Sequence, residues 1–352
     1  MEKTCNNGLN EHLWSGIISR SEVGKSRKED MIYVKSKDEL IRVIRKVISD
    51  EYKPKGSTID LNHIDVSGIT NMFGLFTSFN DFNYKIDLWD VSNVEDMGCM
   101  FEGCKYFNCD ISKWEASPSN MIKMFKDCTN FNRDLSGWDT SKVENMTGLF
   151  YNCTNFNQDL SDWDTSKVKN MTGLFSGCAK FNQKLSKWVV SNVKEMGDMF
   201  KNCYEFNQDL SNWNVSGVEE MRHMFCGCEK FNGKISNWDV SNVKNMSDMF
   251  NGCTNFNQDL SGWKPKNAEY TNGMFKNCEK FNCDLSKWKD TVAKIVIMGD
   301  MFSGCKSLDC DFNEWTLTEL SKYGKHHVFD GCTTLIENNK LPDWYKKRNK
   351  EL

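Results

Sequence analysis

The sequence predicts an α/β solenoid: stacked repeats of about 25 residues, each a short helix plus a short strand, closed by caps at both ends. Three observations predict it. Tryptophans from Trp89 through Trp163 to Trp288 recur every 24 or 25 residues, and Trp315 and Trp344 follow after 27 and 29. Phenylalanines from Phe76 to Phe329 keep the same beat. So do cysteines from Cys104 through Cys153 to Cys332. A single unit cannot stand alone. Its seven or so apolar side chains yield roughly 1.5–3 kcal/mol each when fully buried, against an ordering cost of roughly 1–2 kcal/mol for every residue. Stacking completes the burial, and residues at the same position form ladders along the axis.

Residues 1–30 form a polar N-terminal segment interrupted by Leu13-Trp14 and Ile17-Ile18. The plain reading is a strap on the first coil. The sharper one is a docking motif anchored by Trp14, since apolar residues at this spacing suit a helix in a groove. Residues 31–64 read as a strand–helix N-terminal cap. Met31–Val34 is the strand. Ser36 with Glu39 is a capping box opening a helix whose buried stripe is Leu40, Ile44, Val47 and Ile48.

Residues 65–315 are the repeat solenoid. In the unit around Phe150, the residues Val143, Met146, Leu149, Phe150 and Cys153 fall on one face of a helix of about three turns. Ser141 and Glu144 read as its capping box, as do Ser92/Glu95 and Ser216/Glu219. The other half, Phe156–Trp163, reads as extended, with a short strand around Asp159-Leu160-Ser161. The strands would build a narrow parallel sheet. The Asn after each Phe, from Asn108 through Asn157 to Asn282, reads as a buried amide ladder joining coils. The first coil is degenerate, with Phe79 at the Cys position. Ser117-Pro118 shortens one coil, Lys264-Pro265-Lys266 replaces a cap, and two extra residues precede Met298. Residues 316–352 read as a degenerate last coil and a C-terminal cap containing Trp344.

The segment FNQDLSDWDTSKVKNMTGLFSGC resembles the repeat of the BspA-like leucine-rich-repeat proteins of bacteria and some microbial eukaryotes. The likeness runs from about Val34 to Cys332. It implies a leucine-rich-repeat-like solenoid, often surface-exposed and used for protein contact or adhesion. It also implies small residues such as Ala where this chain has its cysteine ladder.

The net charge of −4, from 45 basic and 49 acidic residues, gives no field for nucleic acid. No apolar run approaches the roughly 20 residues that span a bilayer. The opening MEKTCNNGLNEHLW lacks a basic-then-apolar leader. The expectation is therefore a cytoplasmic chain, with cell-surface display by another route as the alternative. The cysteines number 16, and ten occupy the ladder, where a free thiol packs as a small hydrophobe. Cys283 and Cys310 hold equivalent positions in successive coils and are the pair suited to oxidation. Cys226-x-Cys228 with His223 is the nearest approach to a zinc site, and it lacks a fourth ligand.

No phosphate loop, GxSxG elbow or HExxH motif is present. The expectation is no enzyme, no cofactor and no metal. It is instead a protein-binding repeat scaffold, a monomeric solenoid that recognises a protein partner. A cell-surface adhesion or structural module is the alternative. The residues expected to touch the partner are one outward row, Asp134, Asp159, Lys184, Asp209, Lys234 and Asp259, together with Trp14. The residue after each Phe-Asn (Arg133, Gln158, Gln183, Gln208, Gly233) is read as a second variable outward position.

Overall fold

The computed structural model describes residues 31–50, 59–321 and 324–346. Trp14 and the rest of the N-terminal segment lie outside them. Strand β1 (Ile32–Tyr33) pairs in parallel with β2 (Ile64–Asp65), Ile32 opposite Ile64. Between them runs helix α1 (Lys37–Asp50). Its capping box forms as expected on one side, with the Glu39 N–H donating to Ser36 Oγ at 3.2 Å. The Glu39 carboxylate accepts from Lys35 N–H, one residue before the cap. Leu40 and Ile44 are fully buried, and Val47 and Ile48 pack against the same core.

The repeats are solenoidal, but their units are not helix plus strand. The segment read as a three-turn helix, Val143–Cys153, is a chain of tight turns. Leu149 N–H bonds to Met146 O, Tyr151 to Gly148 and Cys153 to Phe150, each three residues back. The N–H groups between them leave the coil. Met146 donates to Asn170 O, Gly148 to Thr172 O, Phe150 to Leu174 O and Asn152 to Ser176 O, at 2.6–2.9 Å. Half of the backbone donors thus close turns while the other half stitch coil to coil, so both sets are satisfied.

The backbone dihedrals state why no helix forms. Gly148 and Asn152 sit at φ +60°. Two left-handed residues four apart cannot lie inside a right-handed α-helix. The residue before each ladder cysteine, from Gly103 through Asp127, Asn152 and Gly177 to Gly331, is Gly, Asn or Asp, and all are left-handed.

The capping boxes read in the repeats are replaced by Asx turns. The Ser141 N–H donates to Asp139 Oδ1, an Asx turn, and Glu144 pairs with Lys169 of the next coil. Ser92 and Ser216 donate to Asp90 and Asn214 likewise.

The parallel ladder runs elsewhere than expected. Its bridges join the residue preceding each ladder methionine, or Thr271 in its place, from Asn145 to Asn170, Glu195, Glu220, Asn245, Tyr270 and Ile297. At Asp159-Leu160-Ser161 there is a turn, Trp163 N–H to Leu160 O, in place of the expected strand. The ladder spacing there is held by side chains. The Asn182 N–H donates to Asn157 Oδ1 at 2.9 Å, and the pattern repeats from Asn83/Asn108 to Asn282/Asp309. These asparagines are half-buried or exposed rather than buried, because one face of each amide looks outward.

The core is three aromatic columns. Phe150 stacks on Phe175 at 5.7 Å and 3°, and Phe175 on Phe200 at 5.7 Å. A second phenylalanine column lies beside it, Phe175 to Phe181 being 4.0 Å. In the tryptophan column, Trp213 and Trp238 are parallel within 2°. Each indole N–H donates to a carbonyl of the preceding coil, as Trp163 does to Leu135 O at 2.9 Å.

The ladder cysteines do more than pack. The Cys178 thiol donates to Phe150 O at 3.0 Å, and the same bond repeats from Cys104 to Cys332. Alanine would leave that carbonyl only its turn bond, whereas a thiol fills the space and supplies a donor. Burial pushes these thiols up, Cys104 and Cys332 to about 12.

Both ends are covered. Over the first coil, Lys37 Nζ donates to Phe73 O, and the Arg45 guanidinium lies 5.9 Å from the Phe79 ring. The two extra residues before Met298 are absorbed beside a 3₁₀ turn, Ser286–Asp290, and Trp288 still stacks on Trp315 at 6.2 Å. The last coil keeps the frame despite its altered sequence, since Gly324, His326 and Val328 accept the coil bonds of Met298, Asp300 and Phe302. Helices α2 (Thr333–Glu337) and α3 (Asp343–Lys346) follow, and Tyr345 sits edge-on over Phe329 at 5.2 Å.

Candidate functional site

The row Asp134, Asp159, Lys184, Asp209, Lys234 and Asp259 occupies one coil position in six successive coils, and all six side chains are exposed. The local chemistry fixes the acids. Each aspartate Oδ1 accepts the N–H of the serine two residues on, at 2.8 Å for Asp134 and Asp159 and 2.9 Å for Asp209 and Asp259. Hydrogen bonds from Ser211 and Ser261 hold the Asp209 and Asp259 carboxyls below their ordinary range. One carboxylate oxygen is thereby committed to the turn. Lys234 Nζ lies 3.7 Å from Asp209 Oδ2, so the change of sign along the row links adjacent coils.

The position after Phe-Asn is not a free recognition surface. Gln158 and Gln183 donate to the asparagine ladder at 3.0 Å, Gln208 does so at 2.7 Å, and Arg133 Nε donates to Asn108 O. Gly233 is buried against the Gln208 carbonyl, where a Cβ would collide.

Cys283 and Cys310 are free thiols, and each sulfur accepts an N–H from the preceding coil, Leu260 at 3.1 Å and Leu285 at 3.2 Å. His223 and Cys228 do not converge on a metal. The Cys228 thiol donates to Phe200 O, and both imidazole nitrogens face carboxylates. Among the described residues no group of three or more His, Cys, Asp and Glu is placed to hold a metal ion.

The histidine arrangement was not legible in the sequence as a unit. Asp198, His223 and Asp248 stand at one left-handed position of three successive coils. The ring bridges them, with Nδ1 3.1 Å from Asp198 and Nε2 3.5 Å from Asp248. The bonds to Asp198 and Asp248 raise the His223 pKa to about 9. A histidine whose folded pKa lies above its unfolded value of about 6.5 stabilises fully below that value, and the contribution vanishes as pH rises through about 9. His223→Gln is therefore expected to lower the melting temperature at pH 6 and to match the parent protein by pH 10. The solvent-screened effect is about 1 kcal/mol or less. A melting-temperature difference independent of pH contradicts the bridge.

An open hollow of about 400 Å³ lies between Glu144, Lys167, Lys169, Asn192 and Lys194. Among the described residues, no helix is long and apolar enough to cross a membrane.

A stack of turn-built coils, filled by its own ladders and presenting rows of side chains outward, defines a repeat solenoid. The chain belongs to the family described as "Mycoplasma protein of unknown function, DUF285", whose model matches residues 48–141, 119–225, 205–315 and 289–350. The BspA-like likeness is met at this coarser level of a repeat family. No curated protein matches the sequence. Solved structures similar to it include leucine-rich-repeat proteins. One, from Bacteroides ovatus, is 16% identical over 79% of this chain and 77% of that one, with a TM-score of 0.27. The plant peptide hormone receptor RGFR1 in complex with RGF2 is 13% identical over 71% of this chain, with a TM-score of 0.29. A TLR13–ssRNA13 complex is 11% identical over 79% of this chain, with a TM-score of 0.23. The chain spans 40% and 45% of the length of the last two.

Proposed function

We propose that this protein is a non-enzymatic scaffold that binds a protein partner through the row Asp134, Asp159, Lys184, Asp209, Lys234 and Asp259. One observation carries the reading. Six exposed charged groups stand at a single coil position on a hydrogen-bonded frame, the aspartates already fixed by their serine N–H bonds. Pre-fixed groups lose little entropy on binding, and outward positions that vary on a constant frame suit recognition. The aromatic and thiol ladders fill the interior of the described coils.

The test is capture of partners from source lysate by the tagged full chain under reducing conditions. The expected result is one stoichiometric protein, retained by the parent chain and lost by Lys184→Glu/Lys234→Glu at unchanged melting temperature. Retention by the double variant places the contact off this row.

A further inference from the structure

The ladder face carries a charge pattern that the row above does not use. In each coil, three positions ahead of the ladder methionine are exposed or half-exposed. Before Met171 they are Lys167, Lys169 and Asn170, and before Met221 they are Gly217, Glu219 and Glu220. Between these coils, before Met196, stand Asn192, Lys194 and Glu195, which balance. Two coils of opposite charge thus flank a neutral one. Farther out, Glu95 and Asp96 precede Met97, and Lys294 precedes Met298.

We propose that this face pairs two copies of the chain, antiparallel, about a two-fold axis through the coil of Met196. In that register Lys167 and Lys169 of each copy meet Glu219 and Glu220 of the other, in exchange for the intrachain pairs Lys169–Glu144 and Lys244–Glu219. Lys194 meets Glu195 across the axis, the coil of Lys142 and Glu144 comes opposite that of Lys244, and the coil of Glu95 and Asp96 comes opposite that of Lys294. An isologous interface must be self-complementary in this way. Neighbouring registers are not. An axis through the coil of Met171 sets lysines on lysines, and one through the coil of Met221 sets glutamates on glutamates. An axis midway between Met196 and Met221 sets Lys167 and Lys169 against Lys244. Like-charge contacts disfavour those three alternatives.

Two features of the structure point the same way. Acidic side chains crowd beside the axis: burial, Glu220 and Glu219 together push the Glu195 carboxyl up. The open hollow of about 400 Å³ lies on the lysine side, bounded by Lys167, Lys169 and Lys194. An acidic segment of another protein would fit these lysines, but Glu195, Glu219 and Glu220 would repel it one and two coils on. A second copy matches both signs. At coil spacings of about 4.8 Å, nine coils make a strip about 40 Å long. Such a strip is an interface at the small end of the range, so the dimer is a weak one. It replaces the monomer expected from the sequence and leaves the Asp159 row, at a different coil position, for another partner.

The test is sedimentation equilibrium of the full chain at about 0.2 mM, in about 20 mM and about 500 mM salt. Dimer at low salt and monomer at high salt is expected. Lys167→Glu/Lys169→Glu and Glu219→Lys/Glu220→Lys are each expected to weaken association about tenfold or more. Mixed in equal amounts they should associate again, since one then carries acids and the other lysines at both coils. A parent chain that is monomeric at low salt overturns the proposal. So does a double variant that still dimerises alone, or a mixture that stays monomeric. Where a double variant melts early, Lys167→Glu and Glu219→Lys alone serve the same comparison.

Discussion

Phe175→Ala is expected to destabilise the protein by about 3–5 kcal/mol, the usual cost of emptying a buried phenylalanine site. Phe175 is fully buried, stacked between Phe150 and Phe200, 4.0 Å from Phe181 and 6.0 Å from Trp188. Its neighbours cannot collapse into the space, because each is pinned by its own coil and each coil by the inter-coil backbone bonds. In a solenoid, stability is close to a sum over neighbouring coils, so damage at a central coil weakens the coupling between two halves. Urea unfolding followed by tryptophan fluorescence should show an earlier and broader transition. Tyr151→Ala, at a side chain 41% exposed, should move the midpoint by little. Equal effects for the two variants contradict a core built on the phenylalanine column.

Gly227→Val is expected to cost about 1–3 kcal/mol from its left-handed backbone alone, and more from collision. Gly227 sits at φ +76°, and a Cβ there would lie on Asn202 Oδ1. The sign is what matters. Inside an α-helix, replacing glycine by another residue stabilises by several tenths of a kcal/mol. In this coil it destabilises. Thermal melts of parent and variant decide between them, and a stabilised variant restores the helix reading of the repeat.

Period and frame were legible because they depend on burial. Trp163, Phe150, Leu160 and Cys153 repeat at fixed spacing, and the structure buries each against its counterparts. The capping box of α1 was legible because Ser36 and Glu39 act locally. Secondary structure within the coil was misread because the apolar spacing at Val143, Met146, Leu149, Phe150 and Cys153 fits a run of three-residue turns as well as a helix. The signal that separates the two was present. Gly, Asn or Asp precedes every ladder cysteine, and those residues tolerate positive φ. The serine–glutamate pairs misled because the aspartate or asparagine two residues before the serine competes for its N–H, as Asp139 does for Ser141. The candidate row was legible as a set of equivalent positions. The His223 bridge was not, since Asp198 and Asp248 are 25 residues away on either side and meet the ring only through stacking.

The most direct test of the turn-built coil is the detection, by NMR, of couplings across backbone hydrogen bonds. The protein should show correlations from Met146 N–H to Asn170 C=O and from Phe150 N–H to Leu174 C=O, linking one coil to the next. A correlation from Phe150 N–H to Met146 C=O, four residues back within the coil, is the mark of an α-helix and would contradict the account.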